Sequence, residues 1–364
     1  MGWLLSVGLM LALVAAFFSW LNTRSKIKKL SLAKISKLQR TSKNPILSPE
    51  SSNHFEANGV FNPAALRDQN GKTHLLYRAI GNDGVSRLGY AASTDGENFT
   101  DKFPFPVFGM SSPRLDALSR AGVSNFNPVM YPSGGSCGGV EDPRMVAIDG
   151  KIYVTFNGFD GWDFIRVGVI SIKESDLEKK RWRWSKSIFI SPPGEINKNW
   201  VLFPEKIKGK FAILHSITPK IQIDFVDQLE DLATGKKKIK SVFKQNKNHK
   251  GWDSNLRGAG PPPLKTKDGW LVLYHAMDKK EPHRYKLGAL LLDLKNPKKE
   301  IGRANFPILA PDEWYENDGK PGVVYACGAT LDKQNILRVY YGGGDKRVCV
   351  ASMPLASLLK SLAR

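Results

Sequence analysis

GKTHLLYRAIGNDGVSRLGYAAS, residues 71–93, reads as a glycine turn, an apolar strand, a polar loop holding an Asp, and a second apolar strand. The phrase returns four times. It recurs as GKIYVTFNGFDGWDFIRVGVISI from Gly150, GKFAILHSITPKIQIDFV from Gly209, DGWLVLYHAMDKKEPHRYKLGALLLDL from Asp268 and NILRVYYGGGDKRVCVASM from Asn335. The copies start 59 to 79 residues apart, more than the ~40–50 of common propeller repeats, so insertions must separate them. Period-two alternation of β-branched and aromatic residues fits antiparallel sheets. The expectation is an all-β fold, a five-bladed β-propeller over residues 44–354, closed by a short C-terminal helix over 355–364. A β-sandwich followed by a second β domain would leave five copies of one phrase unexplained. In a propeller the loops at one mouth carry the site. Attention therefore falls where strands end in polar residues: Arg78, Asp142, Arg144, His215, Ser216, His275 and Asp345.

Composition narrows the class. Of 364 residues 41% are hydrophobic and 24% charged, which excludes wholesale disorder. The 33 Gly and 22 Pro are dispersed, as short strands and tight turns require and a helical bundle does not. Three scattered cysteines (Cys137, Cys327, Cys349) make neither a disulfide framework nor a zinc site, and the histidines show no ligand spacing, so no metal is expected. The net charge of +20 invites a nucleic-acid reading, but its placement points elsewhere. Arg24, Lys26, Lys28, Lys29, Lys34, Lys37, Arg40 and Lys43 follow one another without an acid, directly after WLLSVGLMLALVAAFFSWL (Trp3–Leu21), which carries no charge at all. That run approaches the ~20 residues a membrane-crossing helix needs. Residues 1–23 are thus expected to form a single transmembrane helix and 24–43 a basic juxtamembrane stalk. The positive-inside rule then places the folded domain in the cytosol, as a single-pass membrane protein. No nucleic-acid partner is expected.

The strands carry a more specific signature. NPILSP from Asn44, GVFNPAAL from Gly59, SRLGYAASTDG from Ser86, GGVEDPR from Gly138, LFPEKIKGKF from Leu202, GAGPPPLKTKDGWLVLYH from Gly258 and LGALLLDLKNP from Leu287 occur in this order, followed by PIL at Pro307 and YYGGGD at Tyr340. Over roughly residues 44–352 the chain resembles glycoside hydrolase family 130. The resemblance implies a five-bladed propeller and an inverting enzyme of β-linked mannosides, most members being phosphorylases and some hydrolases.

Cleaving a glycosidic bond needs a proton for the leaving oxygen. Asp142 is the candidate general acid, and the family's catalytic Asp is similarly placed. Alternation along an extended strand predicts that Asp142 and Arg144 share one face of GGVEDPR while Glu141 points to the other, with Pro143 holding Asp142 extended. Asn62, Arg78, Asp83, Arg87, Glu141, Arg144 and Asp345 are the candidate substrate-binding residues by motif position. Trp162 and Trp200, in loop-like stretches, could stack on a sugar, whereas Tyr77, Tyr274 and Tyr340 read as core. Phosphate binders in the family look like a basic residue followed by Asn, an Arg closing the next strand, and a His. Lys198, Asn199 and His275 correspond, but Ser216 stands where the family usually has Arg, and one hydroxyl replaces a bidentate fork. Lys206, Lys220 or Arg257 are the cations able to make up the loss.

The favoured reading is phosphorolysis to mannose 1-phosphate, with inorganic phosphate as co-substrate and no cofactor. Two alternatives stay open. One is an inverting β-mannosidase of the same family with Glu205 or Glu141 as base; the other is a propeller that binds glycan or protein without catalysis. Linkage, acceptor sugar and oligomeric state are not encoded in these motifs.

Overall fold

The computed structural model describes residues 14–26, 37–121, 135–161, 163–245 and 250–363. Residues 1–13 of the expected anchor, with Trp162 and His249, lie outside this set. Residues 14–26 are helical and exposed, and among the described residues no helix is long and apolar enough to cross a membrane. The rest is mostly β.

Five antiparallel units follow one another along the chain. The first holds β2 (Gly59–Arg67), β3 (Thr73–Ile80), β4 (Val85–Ser93) and the short β5 (Asp101–Lys102), after β1 (Gln39–Arg40), which pairs elsewhere. The second holds β6 (Gly138–Ile148), β7 (Lys151–Phe159), β8 (Ile165–Lys173) and β9 (Ile188–Phe189), and the third β10 (Val201–Leu202), β11 (Phe211–Ser216) and β12 (Gln222–Val226). The fourth comprises β13 (Asn255–Ala259), β14 (Leu264–Thr266), β15 (Gly269–Asp278), β16 (Glu281–Leu292) and β17 (Glu300–Ala304). The fifth comprises β18 (Val324–Leu331), β19 (Ile336–Gly343) and β20 (Arg347–Pro354). Each quoted repeat falls on the central hairpin of one unit. A two-residue parallel ladder, Val85–Ser86 against Gly138–Gly139, links the first two units.

The repeat has a packing cause. Tyr77, Phe156 and Tyr274 on β3, β7 and β15 lie directly opposite Gly89, Gly168 and Gly288 on the next strand. A Cβ on any of those glycines would fall 2.3–2.5 Å from the facing ring, so a flat aromatic and an absent side chain form one cross-strand pair. Tyr77, Tyr274 and Tyr340 are fully buried, as their alternation implied. Apolar side chains then fill the space between successive units. Leu76, Leu88 and Tyr90 meet Val140, Val154 and Ile170 between the first and second, and equivalent clusters lie between second and third, third and fourth, and fourth and fifth. A further cluster joins Tyr340, Val348 and Val350 of the fifth unit to Leu75, Tyr77 and Ala91 of the first.

Two boundaries differ from expectation. β1 pairs with β20 through Gln39–Ser352 and Arg40–Ala351, Leu38 is buried in the core, and Arg40 binds buried Glu316 at 2.8 and 2.9 Å. The folded unit therefore begins inside the expected stalk, because a strand edge and an apolar pocket take up residues 38–40, and Arg40 serves as a structural ion pair. The C-terminal helix spans Leu355–Ser361 only; β21 (Leu362–Ala363) then pairs with β17.

Candidate active site

A repeated irregularity shapes the site. Register shifts interrupt β2 between Phe61 and Ala64, β6 between Glu141 and Arg144, β13 between Leu256 and Gly258, and β18 between Ala326 and Gly328. Each is the first strand of its unit, and a bulge bends a strand and re-aims a side chain. Asn62 and Asp142 occupy the first two bulges with φ of +48° each, and Asp345 after β19 has φ +50°. Asn and Asp tolerate this left-handed region best among residues with a Cβ.

The bulge in β6 overturns two expectations. Pro143 does not hold Asp142 extended, and Glu141 does not point away from it. The extra residue rotates the strand so that both carboxylates reach Arg78, whose Nη2 donates to Glu141 Oε1 at 3.0 Å and Nη1 to Asp142 Oδ1 at 3.3 Å. Asn62 Nδ2 donates to Asp142 Oδ1 at 2.8 Å and Asn157 Nδ2 to its Oδ2 at 3.4 Å. Glu141 also takes Ser136 Oγ at 3.0 Å and Lys198 Nζ at 3.1 Å, and is fully buried. Close approach is built in at Gly342, where a Cβ would lie 2.0 Å from Asn62 Oδ1.

Beside Asp142 opens a cavity of about 130 Å³, lined by Asn62, Arg78, Lys198, Asn199, Arg257, Tyr285, Lys320, Val323, Tyr325 and Asp345 as well. Its donors are arranged in layers. Asn199 Oδ1 accepts from Arg144 Nη2 at 2.9 Å and Tyr325 Oη at 3.0 Å, which leaves the Nδ2 amide as the group Asn199 offers to a ligand. Arg144 lies behind the wall, its other donors on Gly260 O (3.0 Å) and Asp142 O (2.6 Å). His275 is fully buried behind Tyr325, rings stacked at 4.0 Å, and its Nε2 accepts from the Ala326 N–H at 2.9 Å. Burial, then the Arg144 guanidinium, push the His275 imidazole down to about 3, so it is neutral and holds Tyr325 in place.

The carboxyls are driven apart. Burial raises the Asp142 carboxyl, but Arg78, Arg144, the Asn62 amide and Lys198 together pull it below the usual carboxylate range. For Asp345 burial outweighs Lys320 and Arg78, and the carboxyl is raised. The ligand-free site thus holds an ionised Asp142 next to cations, and Asp345, with Lys320 Nζ at 3.7 Å, as its more easily protonated neighbour.

The other sequence candidates fall outside the cavity wall. Asp83 and Arg87 bind each other at 2.6 Å, and Ser119 Oγ donates to Asp83 at 2.9 Å. Ser216 is buried and donates to Thr218 O at 2.7 Å. Lys206 pairs with Asp149, and Glu205 binds Lys265 at 2.7 and 2.9 Å on the surface. Trp200 is buried in the core against His215, so it offers no sugar platform. Sequence reasoning missed Tyr285, Lys320, Tyr325 and Asn157. Arg257 was signalled only as a spare cation; its position in the β13 bulge brings it to the cavity. Among the described residues no three His, Cys, Asp or Glu side chains could hold a metal ion.

Comparison with known proteins agrees with this geometry. A family model described as beta-1,4-mannooligosaccharide phosphorylase matches residues 124–364. A 1,2-beta-oligomannan phosphorylase of Thermoanaerobacter is 38% identical over 88% of this chain and 99% of its own length. A beta-1,2-mannobiose phosphorylase from the same organism is 35% identical over 86% and 96%. In fold, the chain is similar to the beta-1,2-mannobiose phosphorylase of Listeria innocua solved with beta-1,2-mannobiose, at TM-score 0.65 and 22% identity over 89% and 99% of the two chains. The buried Asp142 cluster, the cation-lined cavity beside it and these matches along nearly the whole folded part identify the chain as a member of glycoside hydrolase family 130.

Proposed function

We propose that the protein cleaves β-1,2-linked mannosides by inverting phosphorolysis, releasing mannose 1-phosphate, on a five-bladed propeller whose cavity lies at one mouth of the ring. One observation carries the reading: Lys198, Arg257 and the Asn199 amide line the same small cavity as Asp142. Cations and N–H donors are what a phosphate dianion needs, and the reaction requires no second carboxylate. The apolar cluster between the fifth and first units supports closure of the ring, and the linkage is carried over from the two Thermoanaerobacter relatives.

In this mechanism phosphate seats against Lys198, Arg257 and Asn199 and attacks the anomeric carbon, while a proton passes from Asp142 to the departing oxygen. Asp142 is ionised in the empty site, so it must gain that proton first. A dianion beside Lys198 offsets part of the pull that keeps the carboxyl charged, and proton uptake follows phosphate binding. Asn62, Arg78, Glu141 and Asp345 position the mannose ring and the acid. The hydrolytic alternative loses ground on its base: Glu205 is on the surface with Lys265, and Glu141 is fully buried against Arg78, Ser136 and Lys198 and does not line the cavity.

The deciding measurement is the product. Incubated with β-1,2-mannobiose, the protein should release mannose 1-phosphate only when phosphate is present; free mannose formed equally without phosphate would overturn the reading. We further infer that Trp3–Leu21 is a single-pass anchor with the basic residues that follow on the cytosolic side, supported by the uncharged run and its collar. Protease digestion of right-side-out and inverted membrane vesicles tests this: degradation of the folded domain in the right-side-out vesicles would reject it.

A further inference from the structure

A second basic segment contributes no residue to the cavity beside Asp142. GKKKIKSVFKQ, residues 235–245, holds Lys236, Lys237, Lys238, Lys240 and Lys244 with no acid and no arginine. It has no regular secondary structure, yet its backbone is fixed at every second or third residue. Lys237 N donates to Asp231 O at 2.9 Å, and Ile239 is buried with Phe211 and Val226. The Gln222 side chain exchanges two hydrogen bonds with Val242, at 3.0 and 2.6 Å. Thr218 Oγ1 donates to Lys244 O at 2.8 Å, and the Gln245 side chain binds the Leu256 backbone at 2.6 and 3.1 Å. The segment is a strap tied along β12, the edge strand of the third unit.

What the ties leave outward is chemically specific. Lys236, Lys238, Lys240 and Lys244 are exposed, and between them so are Val242 (46%) and Phe243 (55%). Lys236 and Lys237 pair with Asp231 and Asp227, but Lys238, Lys240 and Lys244 pair with no carboxylate among the described residues. Single exposed apolar side chains are common on this surface, but here two adjacent ones sit among lysines that have no carboxylate partner in the described residues, and a protein-binding hot spot is centred on Trp, Tyr or Arg rather than lysine. Lysines around an apolar tip suit the boundary of an anionic bilayer, the charges on headgroups and the ring at the acyl edge. Recognition of nucleic acid favours Arg, which the strap lacks.

We propose that the strap 235–245 docks on the surface of an anionic lipid bilayer. The contact is independent of the phosphorolysis reading, and its dependence on lipid charge separates it from insertion of the N-terminal run, which needs none. Full-length protein is reconstituted in vesicles of phosphatidylcholine alone or with 30% phosphatidylserine, and lysine acetylation is followed residue by residue by mass spectrometry. Lys238, Lys240 and Lys244 should react at least about fivefold more slowly in the phosphatidylserine vesicles, the effect of roughly one lysine's headgroup attraction, while Lys333 on the fifth unit is unchanged. Addition of 0.5 M NaCl should remove the protection. In K238E/K240E/K244E the protection of Lys236 should vanish while phosphorolysis is retained, showing an intact fold. Equal labelling in the two vesicles overturns the proposal. So does protection by poly(U) RNA, at matched phosphate, that equals or exceeds that given by the anionic vesicles.

Discussion

Replacing Asp142 by Asn separates an acid from a merely buried charge, because the structure says what the amide keeps. Its oxygen can still accept from Asn62 Nδ2 at 2.8 Å and from Arg78 Nη1 at 3.3 Å, while its new N–H₂ faces the Asn157 amide donor at 3.4 Å. Arg78 retains Glu141 at 3.0 Å, and Arg144 loses its nearest carboxylate but keeps Gly260 O, the residue-142 carbonyl and Asn199 Oδ1, so both guanidinium groups stay hydrogen-bonded. The folding cost is then that of one mismatched hydrogen bond and a weakened one, about 1–3 kcal/mol, or a few degrees of Tm. The proton, however, is gone. General acid catalysis contributes roughly 10²–10⁴-fold, so kcat for mannose 1-phosphate formation from β-1,2-mannobiose should fall by at least about 100-fold, while the KM for phosphate should not rise and should tend lower, because the carboxylate charge that opposes the dianion is gone. A β-mannoside with a 2,4-dinitrophenyl leaving group needs no proton, and on it D142N should recover most of the wild-type rate. Equal losses on both substrates would show that Asp142 binds or positions rather than protonates. A variant within about threefold of wild type on mannobiose would remove it from the chemistry altogether.

Other consequences follow from the same geometry. Arg257→Ala should raise the KM for phosphate about tenfold or more, as loss of a charged hydrogen bond does, and leave the KM for mannobiose alone; steady-state kinetics in both substrates checks the split. Binding of sulfate, a dianion that does not titrate near neutrality, should take up more protons at pH 5.5 in wild type than in D142N, where only Asp345 is left to respond, read by calorimetry in buffers of different ionisation enthalpy. His275 titrates near 3 in the fold and about 6.5 unfolded. The unfolded chain therefore binds the extra proton between those values, and stability falls as pH drops through that window by up to about 1.4 kcal/mol per unit. His275→Gln should show a shallower loss in urea unfolding between pH 6.5 and 5, and an identical slope would discount the histidine. Gly342→Ala must displace the Asn62 carboxamide 2.0 Å away, so both Tm and kcat should drop, and a crystal structure should show the bond from Asn62 to Asp142 lengthened.

What could be read from the sequence divides along a physical line. The hairpins were legible through their alternation and turn residues, and three of the five also pair an aromatic residue with a glycine across two strands, a local constraint that reappears in the repeated phrase. Asp142, Arg78 and Asn62 were legible through their motifs. The bulges were not, since a register shift is decided by which partner strand a residue meets, and β6 meets β7 across a turn that alternation alone would leave regular. One inserted residue there turns Glu141 from the far face onto Arg78 and makes a shared carboxylate cluster out of an expected pair of opposite faces. The same shift in β13 converts Arg257 from an ordinary strand residue into a cation on the cavity wall. Tyr325 and Lys320 lay beyond sequence reasoning for a related reason: they reach the cavity from the fifth unit, hundreds of residues from Asn62, and only the packing of that unit against the first brings them together. The departure at Ser216 changes weight accordingly. Its side chain is bound to Thr218 and does not line the cavity, so in the proposed reaction the charge that the family's Arg would supply falls to cations of the cavity wall, Lys198 and Arg257 first, since Arg78 and Lys320 already face carboxylates.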